Sequence, residues 1–197
     1  MEFWPQLECR LHARDQPFPA SWKLCYETKH ALAALLKPYN ILEIGVRAGY
    51  SAFSFLTVCP YARYLGVDNN SNTHGGFCGS IEHARLILQP FDVTILELPS
   101  GELAKHFEGY ELPPAFDLVH VDGDHSMDGC YADLLLALQC HPRAILVDDY
   151  AAIPEVKKAC DQFFGDNSEQ FHQLKITDGH NGAILFLRNE CTHIQSK

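Results

Sequence analysis

Basic residues are scarce in this chain, and nowhere do they cluster. Its 197 residues hold 15 Lys and Arg against 25 Asp and Glu, a formal net charge of −10. An acidic surface with no basic patch repels polyanions, so nucleic acid is not expected as a partner. Long apolar runs are also missing. No stretch approaches the roughly 20 residues of a membrane span. The opening segment, MEFWPQLECRLHARDQ, has no basic region followed by an apolar one. Neither a membrane anchor nor a secretory signal is therefore expected. The eight cysteines (Cys9, Cys25, Cys59, Cys78, Cys130, Cys140, Cys160 and Cys191) never form C-x-x-C. Their spacing indicates no zinc site, and they read as buried or half-buried free thiols of a cytoplasmic protein. Repeats, low-complexity runs and linkers are absent too. One domain over residues 1–197 is expected, with 1–20 as an N-terminal arm or lid and 21–188 as the core.

What is present is concentrated in the stretch from Phe116 to Tyr150, FDLVHVDGDHSMDGCYADLLLALQCHPRAILVDDY. Asp117 to Val121 is an apolar run with one polar interruption, as in a buried parallel strand. It stops at Asp122-Gly123-Asp124-His125. Ser126 is placed to cap a helix to about Gln139, and His141-Pro142 ends it. Ala144 to Val147 is a second buried strand, stopping at Asp148-Asp149. Two neighbouring strands thus end in carboxylates at one edge, the edge where open α/β sheets bind ligands. Three carboxylates there repel one another unless a cation or a positive substrate sits among them, and all-oxygen ligands suit Mg²⁺. The plainer alternative is that these acids cap helices or face water. That reading is preferred for Asp124 and Asp128, and a site is preferred for Asp122, Asp148 and Asp149 together.

Upstream, Ser21 to about Leu36 predicts a helix with Leu24, Ala31, Leu32, Leu35 and Leu36 at helical spacing. Ile41 to Gly45 predicts a strand running into a glycine turn and an apolar helix. The turn lacks the Lys of a phosphate-binding P-loop, and Arg47 stands where a dinucleotide fingerprint needs its second glycine. Gly45 and Gly49 still permit a tight turn and close approach of something that is not a pyrophosphate. Tyr64 to Val67 ends at Asp68, one helix and one strand beyond Gly49, where a carboxylate can bind ribose hydroxyls. A helix from Ser80 to about Leu88, a strand from Val93 to Leu98, and a helix with Leu103 and Phe107 follow. Pro154 opens a helix with Val156, Ala159, Cys160 and Phe163 inward. Phe171 to Thr177 and Ala183 to Arg188 alternate around a glycine-rich turn, as in an antiparallel hairpin.

Glu43, Gly45, Gly49 and Ser51 in E-x-G-x-x-x-G-x-S, the acid ending the second strand, V-D-G-D-H-S and I-L-V-D-D-Y together resemble the class I S-adenosylmethionine-dependent methyltransferases. The subgroup that the chain resembles is the small O-methyltransferases of catechol and macrolide-sugar type, over roughly residues 25–188. The resemblance implies a doubly wound, Rossmann-like α/β sheet of seven strands, order 3-2-1-4-5-7-6, with strand 7 antiparallel and helices on both faces. It implies that Glu43, Gly45, Arg47, Gly49 and Ser51 surround the methionine portion of S-adenosylmethionine. Asp68, with Asn69 beside it, would hold the ribose, and Ser100 would reach the adenine. Asp122, Asp148 and Asp149 match the metal positions of the catechol-type enzymes, whose third ligand is more often Asn. His125 stands where those enzymes place a catalytic Lys.

The leading expectation is therefore metal-assisted O-methylation of a hydroxylated small molecule, with a divalent ion such as Mg²⁺ and with His125 or Asp122 as the base. A second is a metallohydrolase using His120, Asp122, Asp124 and His125; against it, His120 is expected to point away from the acidic loops as a core histidine. A third is a binding protein that keeps the cofactor but not the catalysis. Trp4, Trp22, Phe77 and Tyr150 are candidates to line an acceptor pocket. Whether the protein is a homodimer is left open.

Overall fold

Ile41, Leu42 and Ile44 are almost completely buried because their strand, β1 (Asn40–Ile44), lies in the middle of a sheet covered on both faces. The structure, a computed structural model, describes residues 20–71, 79–103, 105 and 115–189. The expected N-terminal arm, the middle of the 69–80 loop and the helix around Phe107 lie outside the described residues, as do Trp4 and Phe77. The further strands are β2 (Arg63–Asp68), β3 (Asp92–Glu97), β4 (Leu118–Val121), β5 (Ala144–Val147), β6 (Phe171–Ile176) and β7 (Ala183–Arg188). They form one seven-stranded sheet in the order β3-β2-β1-β4-β5-β7-β6. The pairs among β1 to β5 are parallel, and β7 runs antiparallel to both β5 and β6. This is the doubly wound, Rossmann-like arrangement expected from the sequence.

Alternation along each strand divides the core in two. On one face, Ile41, Tyr64, Leu118, Ala144 and Leu146 meet α1 (Ala20–Leu36), α2 (Tyr50–Val58) and α3 (Ser80–Leu88). On the other, Leu42, Leu65, Val119, Ile145 and Phe186 meet α4 (Met127–Gln139) and α5 (Pro154–Asn167). Ser126 caps α4 as expected, accepting a bond from the Gly129 N–H at 3.1 Å. None of the helices among the described residues is long and apolar enough to cross a membrane.

The inward face of α1 agrees with expectation at Leu32 and Leu36, which are half-buried against the core, and differs elsewhere. Leu24 and Leu35 are 47% and 80% exposed. The buried stripe is Cys25, Lys29 and Ala33, at i, i+4 and i+8. Two small residues let α1 approach α2 closely, and a charged residue is carried into the interior between them.

Candidate functional site

The five parallel strands finish at one edge, and a cavity of about 700 Å³ opens there. That size suits a nucleoside-sized ligand. The turns after β1 to β5 supply most of its wall, and α1 closes it with Trp22, Tyr26 and Lys29.

Gly45, at φ +90°, turns the chain off the end of β1. A Cβ at this position would overlap the Asp122 carbonyl, so the β1 and β4 turns touch only because Gly45 has no side chain. Arg47 also has positive φ, at 50°. Its N–H donates to Asp68 Oδ2 at 2.7 Å, and Oδ1 of the same carboxylate accepts from the Asn70 N–H at 2.6 Å. Asp68 is thereby fixed at the tip of β2, facing the cavity with its remaining lone pairs.

The three acids expected as one metal set are divided by the backbone. Asp148 continues the alternation of β5 and points to the α1 face, where Lys29 Nζ meets its Oδ2 at 2.6 Å. Asp149 is in the left-handed region at φ +62°, an unfavourable conformation for a non-glycine residue. It turns the other way, accepting from Asn181 Nδ2 at 2.5 Å. His125 Nε2 lies 3.3 Å from Asp149 Oδ2 and 3.5 Å from Asp122 Oδ1. Two overlapping groups result, His120–Asp122–Asp148 and Asp122–His125–Asp149, each with donor atoms within 4.8 Å of one another. Burial, and then the Asp148 charge, pushes the Asp122 carboxyl above the usual carboxylate range. The hydrogen bond to Asp122 raises His125 above an ordinary histidine.

His120 does not point away from the acids. A strand has period two, so His120 shares its face with Asp122, and the sheet register sets it beside Glu43 of β1. Its Nδ1 lies 2.8 Å from Glu43 Oε1, and its Nε2 lies 3.4 Å from Asp148 Oδ1. Tyr64 donates its hydroxyl to the other oxygen of Glu43. A row therefore crosses the sheet under α1 and α2: Tyr64, Glu43, His120, Asp148, Lys29. Charges alternate along it, which is how so many ionisable groups are buried together. Burial alone would lower His120, but Asp148 and Glu43 overcome it and push it up to about 10. Asp148 is held well below the usual carboxylate range: burial opposes this, and Lys29 and His120 prevail. Among the described residues no single group holds all four residues of the hydrolase reading: Asp122 is shared between the His120 and His125 groups, and Asp124 Oδ1 accepts from the Ser126 N–H.

At the β3 end, Ser100 opens a short 3-10 turn (Ser100–Glu102), and its Oγ donates to Asp133 Oδ1 at 2.5 Å. Burial pushes the Asp133 carboxyl up to about 6, with the Ser100 hydroxyl pulling the other way.

Of the residues singled out in the sequence, Gly45, Arg47, Asp68, Asn69, Ser100, Asp122, His125, Asp148 and Asp149 line the cavity. Glu43, Gly49 and Ser51 are not among its lining residues. Glu43 is 1% exposed inside the row, Gly49 caps α2 against Ala84, and Ser51 is buried in α2. Trp22 lines the cavity, whereas Tyr150 is buried and donates to Asp161. Lys29, Asp133, His180 and Asn181 also line it and were not anticipated. For Lys29 a signal existed: it is the one charge in an otherwise small, apolar i, i+4 stripe.

This sheet order, with an acid closing β2 and a cavity over the β1 turn, defines the class I methyltransferase architecture. Residues 42–150, more than half of the chain, match a family model described as a methyltransferase domain, and the chain belongs to that family. No curated protein matches it. Among solved structures it is similar to the O-methyltransferase from Bacillus cereus in complex with SAH, at 16% identity and TM-score 0.63 over 88% of this chain and 83% of that one. It is also similar to the O-methyltransferase TomG from Streptomyces achromogenes in complex with SAM, at 17% identity and TM-score 0.62 over 88% and 91%. A third is the SAH-bound methyltransferase PaMTH1 from Podospora anserina, at 18% identity and TM-score 0.61 over 90% and 91%. At these identities the similarity shows the shared fold.

Proposed function

We propose that this protein is an S-adenosylmethionine-dependent O-methyltransferase acting on a hydroxyl of a small molecule. The observation that carries the reading is one cavity joining Asp68 at β2 to Asp122, His125 and Asp149 at β4 and β5, in a chain of the methyltransferase family. When bound, the cofactor supplies an electrophilic methyl group on a positively charged sulfur. The residues present fit it. Asp68 is fixed for a vicinal diol, Arg47 stands in the β1 turn where a dinucleotide fingerprint needs glycine, and Asp122 offers negative charge beside that turn. His125 is the base: its Nε2 receives the hydroxyl proton as the oxygen–methyl bond forms, and Asp122 and Asp149 stabilise the imidazolium. The five described cysteines are buried free thiols, which supports a reducing, cytoplasmic setting.

A second reading keeps the reaction and adds a divalent ion. Asp122, His125 and Asp149 have the donor types and closeness to hold one, and Asp148 Oδ1, which faces His120, stands behind them. Such an ion lowers the pKa of an acceptor hydroxyl. Asp148 is not a first choice as ligand, because Lys29 already neutralises it. With His125 as a ligand, the proton would go to Asp122.

Calorimetric titration of S-adenosylmethionine, S-adenosylhomocysteine, NAD and ATP tests the first statement. The two S-adenosyl compounds should bind and the other two should not; the reverse order would reject it. Turnover after exhaustive chelation decides between the readings. Activity lost and restored by Mg²⁺ selects the ion, and full activity without it selects His125 as base.

A further inference from the structure

We propose that Lys29 is the resident cation of this site, its ammonium holding at Asp148 the charge position that a divalent ion would otherwise take. This rests on the S-adenosyl reading above and deepens it, because the positive charge beside the acidic loops then comes from a side chain of α1. Lys29 is buried, yet it lines the cavity. Its Nζ is 2.6 Å from Asp148 Oδ2 and donates to Cys25 Sγ at 2.9 Å, with the centre of the Tyr26 ring 5.3 Å away. An ammonium has three N–H groups, so one is left for an oxygen brought into the cavity.

The acids are arranged for this cation rather than for a metal. Both oxygens of Asp148 already face nitrogen: Oδ2 meets Lys29, and Oδ1 lies 3.4 Å from His120 Nε2. Asp149 has turned the other way, to Asn181. With Asp148 withdrawn, the group left at the β4 and β5 turns is Asp122, His125 and Asp149, in which an imidazole replaces the third oxygen ligand. Mg²⁺ prefers oxygen, and imidazole suits softer ions. A divalent ion on Asp148 would also stand beside a buried ammonium, where like charges repel strongly.

A purely structural Lys29 would fasten α1 to the end of β5 and do nothing more. Removing such an anchor lowers stability but creates no affinity for an ion, which separates the two roles.

The test is calorimetric titration of Mg²⁺ alone into the full chain, first cleared of metal with a chelator. Lys29→Met frees Asp148 and should bind Mg²⁺ about tenfold or more tighter than the native protein. Adding Asp148→Asn to Lys29→Met should return the affinity to the native level. Thermal midpoints show which variants are folded. If Lys29→Met is not, Lys29→Gln, which keeps a donor toward Asp148 without the charge, takes its place. If neither folds, the native protein decides: saturation by about 1 mM Mg²⁺ overturns the inference, and no binding at that concentration upholds it. A folded single variant that gains less than about tenfold over the native protein, or shows no measurable binding, overturns it too. So does a double variant that keeps the gain. S-adenosylhomocysteine titrated into the same native sample tests the S-adenosyl reading by itself, so the two can fail separately.

Discussion

His125 lines the cavity with Nε2 between two carboxylates and a side chain still partly open. If it is the base, His125→Ala should cut turnover by roughly 10²–10⁴ while cofactor affinity stays within a fewfold. Its pKa is raised, chiefly by Asp122. The acidic limb of the native rate profile should therefore lie above the ordinary histidine value, and the variant should lose that limb. Near-normal turnover with the native profile would move the role to Asp122. Among single residues, those at strand ends were legible in advance, because an acid after a buried run has one place to go. Asp133 was not legible. An aspartate within a helix reads as solvent-facing, and only the fold reveals Ser100 against it. Nor was the parting of Asp148 from Asp149, which depends on one left-handed residue.

Among the elements, the strands were read to within a residue or two, since buried parallel strands are short apolar runs closed by turn residues. The face of α1 was read only in part, since Leu32 and Leu36 pack on the core as expected. Hydrophobic spacing favoured Leu24 and Leu35, but close packing on α2 and the pull of Asp148 on Lys29 select Cys25, Lys29 and Ala33. That choice can be tested. Lys29→Met keeps the length of the side chain and removes its charge, leaving Asp148 buried with less compensation. Such a loss costs about 3–5 kcal/mol, a fall in thermal midpoint on the order of 10 °C for a chain of this size. Adding Asp148→Asn to Lys29→Met should recover part of the loss. A single variant as stable as the native protein would show that the pair contributes nothing to holding α1.

For the molecule as a whole, the buried row couples stability to pH. His120 is raised to about 10 by the carboxylates on either side, against a burial effect that acts the other way. A raised pKa means that the folded state holds this proton more tightly than the unfolded chain. The stability gained is whole below about pH 6.5, the unfolded value, and is lost as pH climbs toward 10. In metal-free protein the His120 imidazole should remain charged at pH 8 by NMR, while the thermal midpoint declines between pH 7 and 10. A His120 signal titrating near 6.5 would refute the charge assignment. None of this coupling could be read from the sequence. Glu43 and His120 are 77 positions apart, and only the register of β1 on β4 makes them neighbours.

The same row constrains how the sequence can drift. Glu43, His120, Asp148 and Lys29 come from two strands, the turn after a third and a helix, and each answers the charge of the next. Changing one letter strands its neighbour in the interior, whereas changing two adjacent members together, an acid with its base, leaves the remainder balanced. Descendants of this gene should therefore rewrite these positions in couples, and a lineage that has lost the lysine of α1 should have given up the first aspartate after β5 as well.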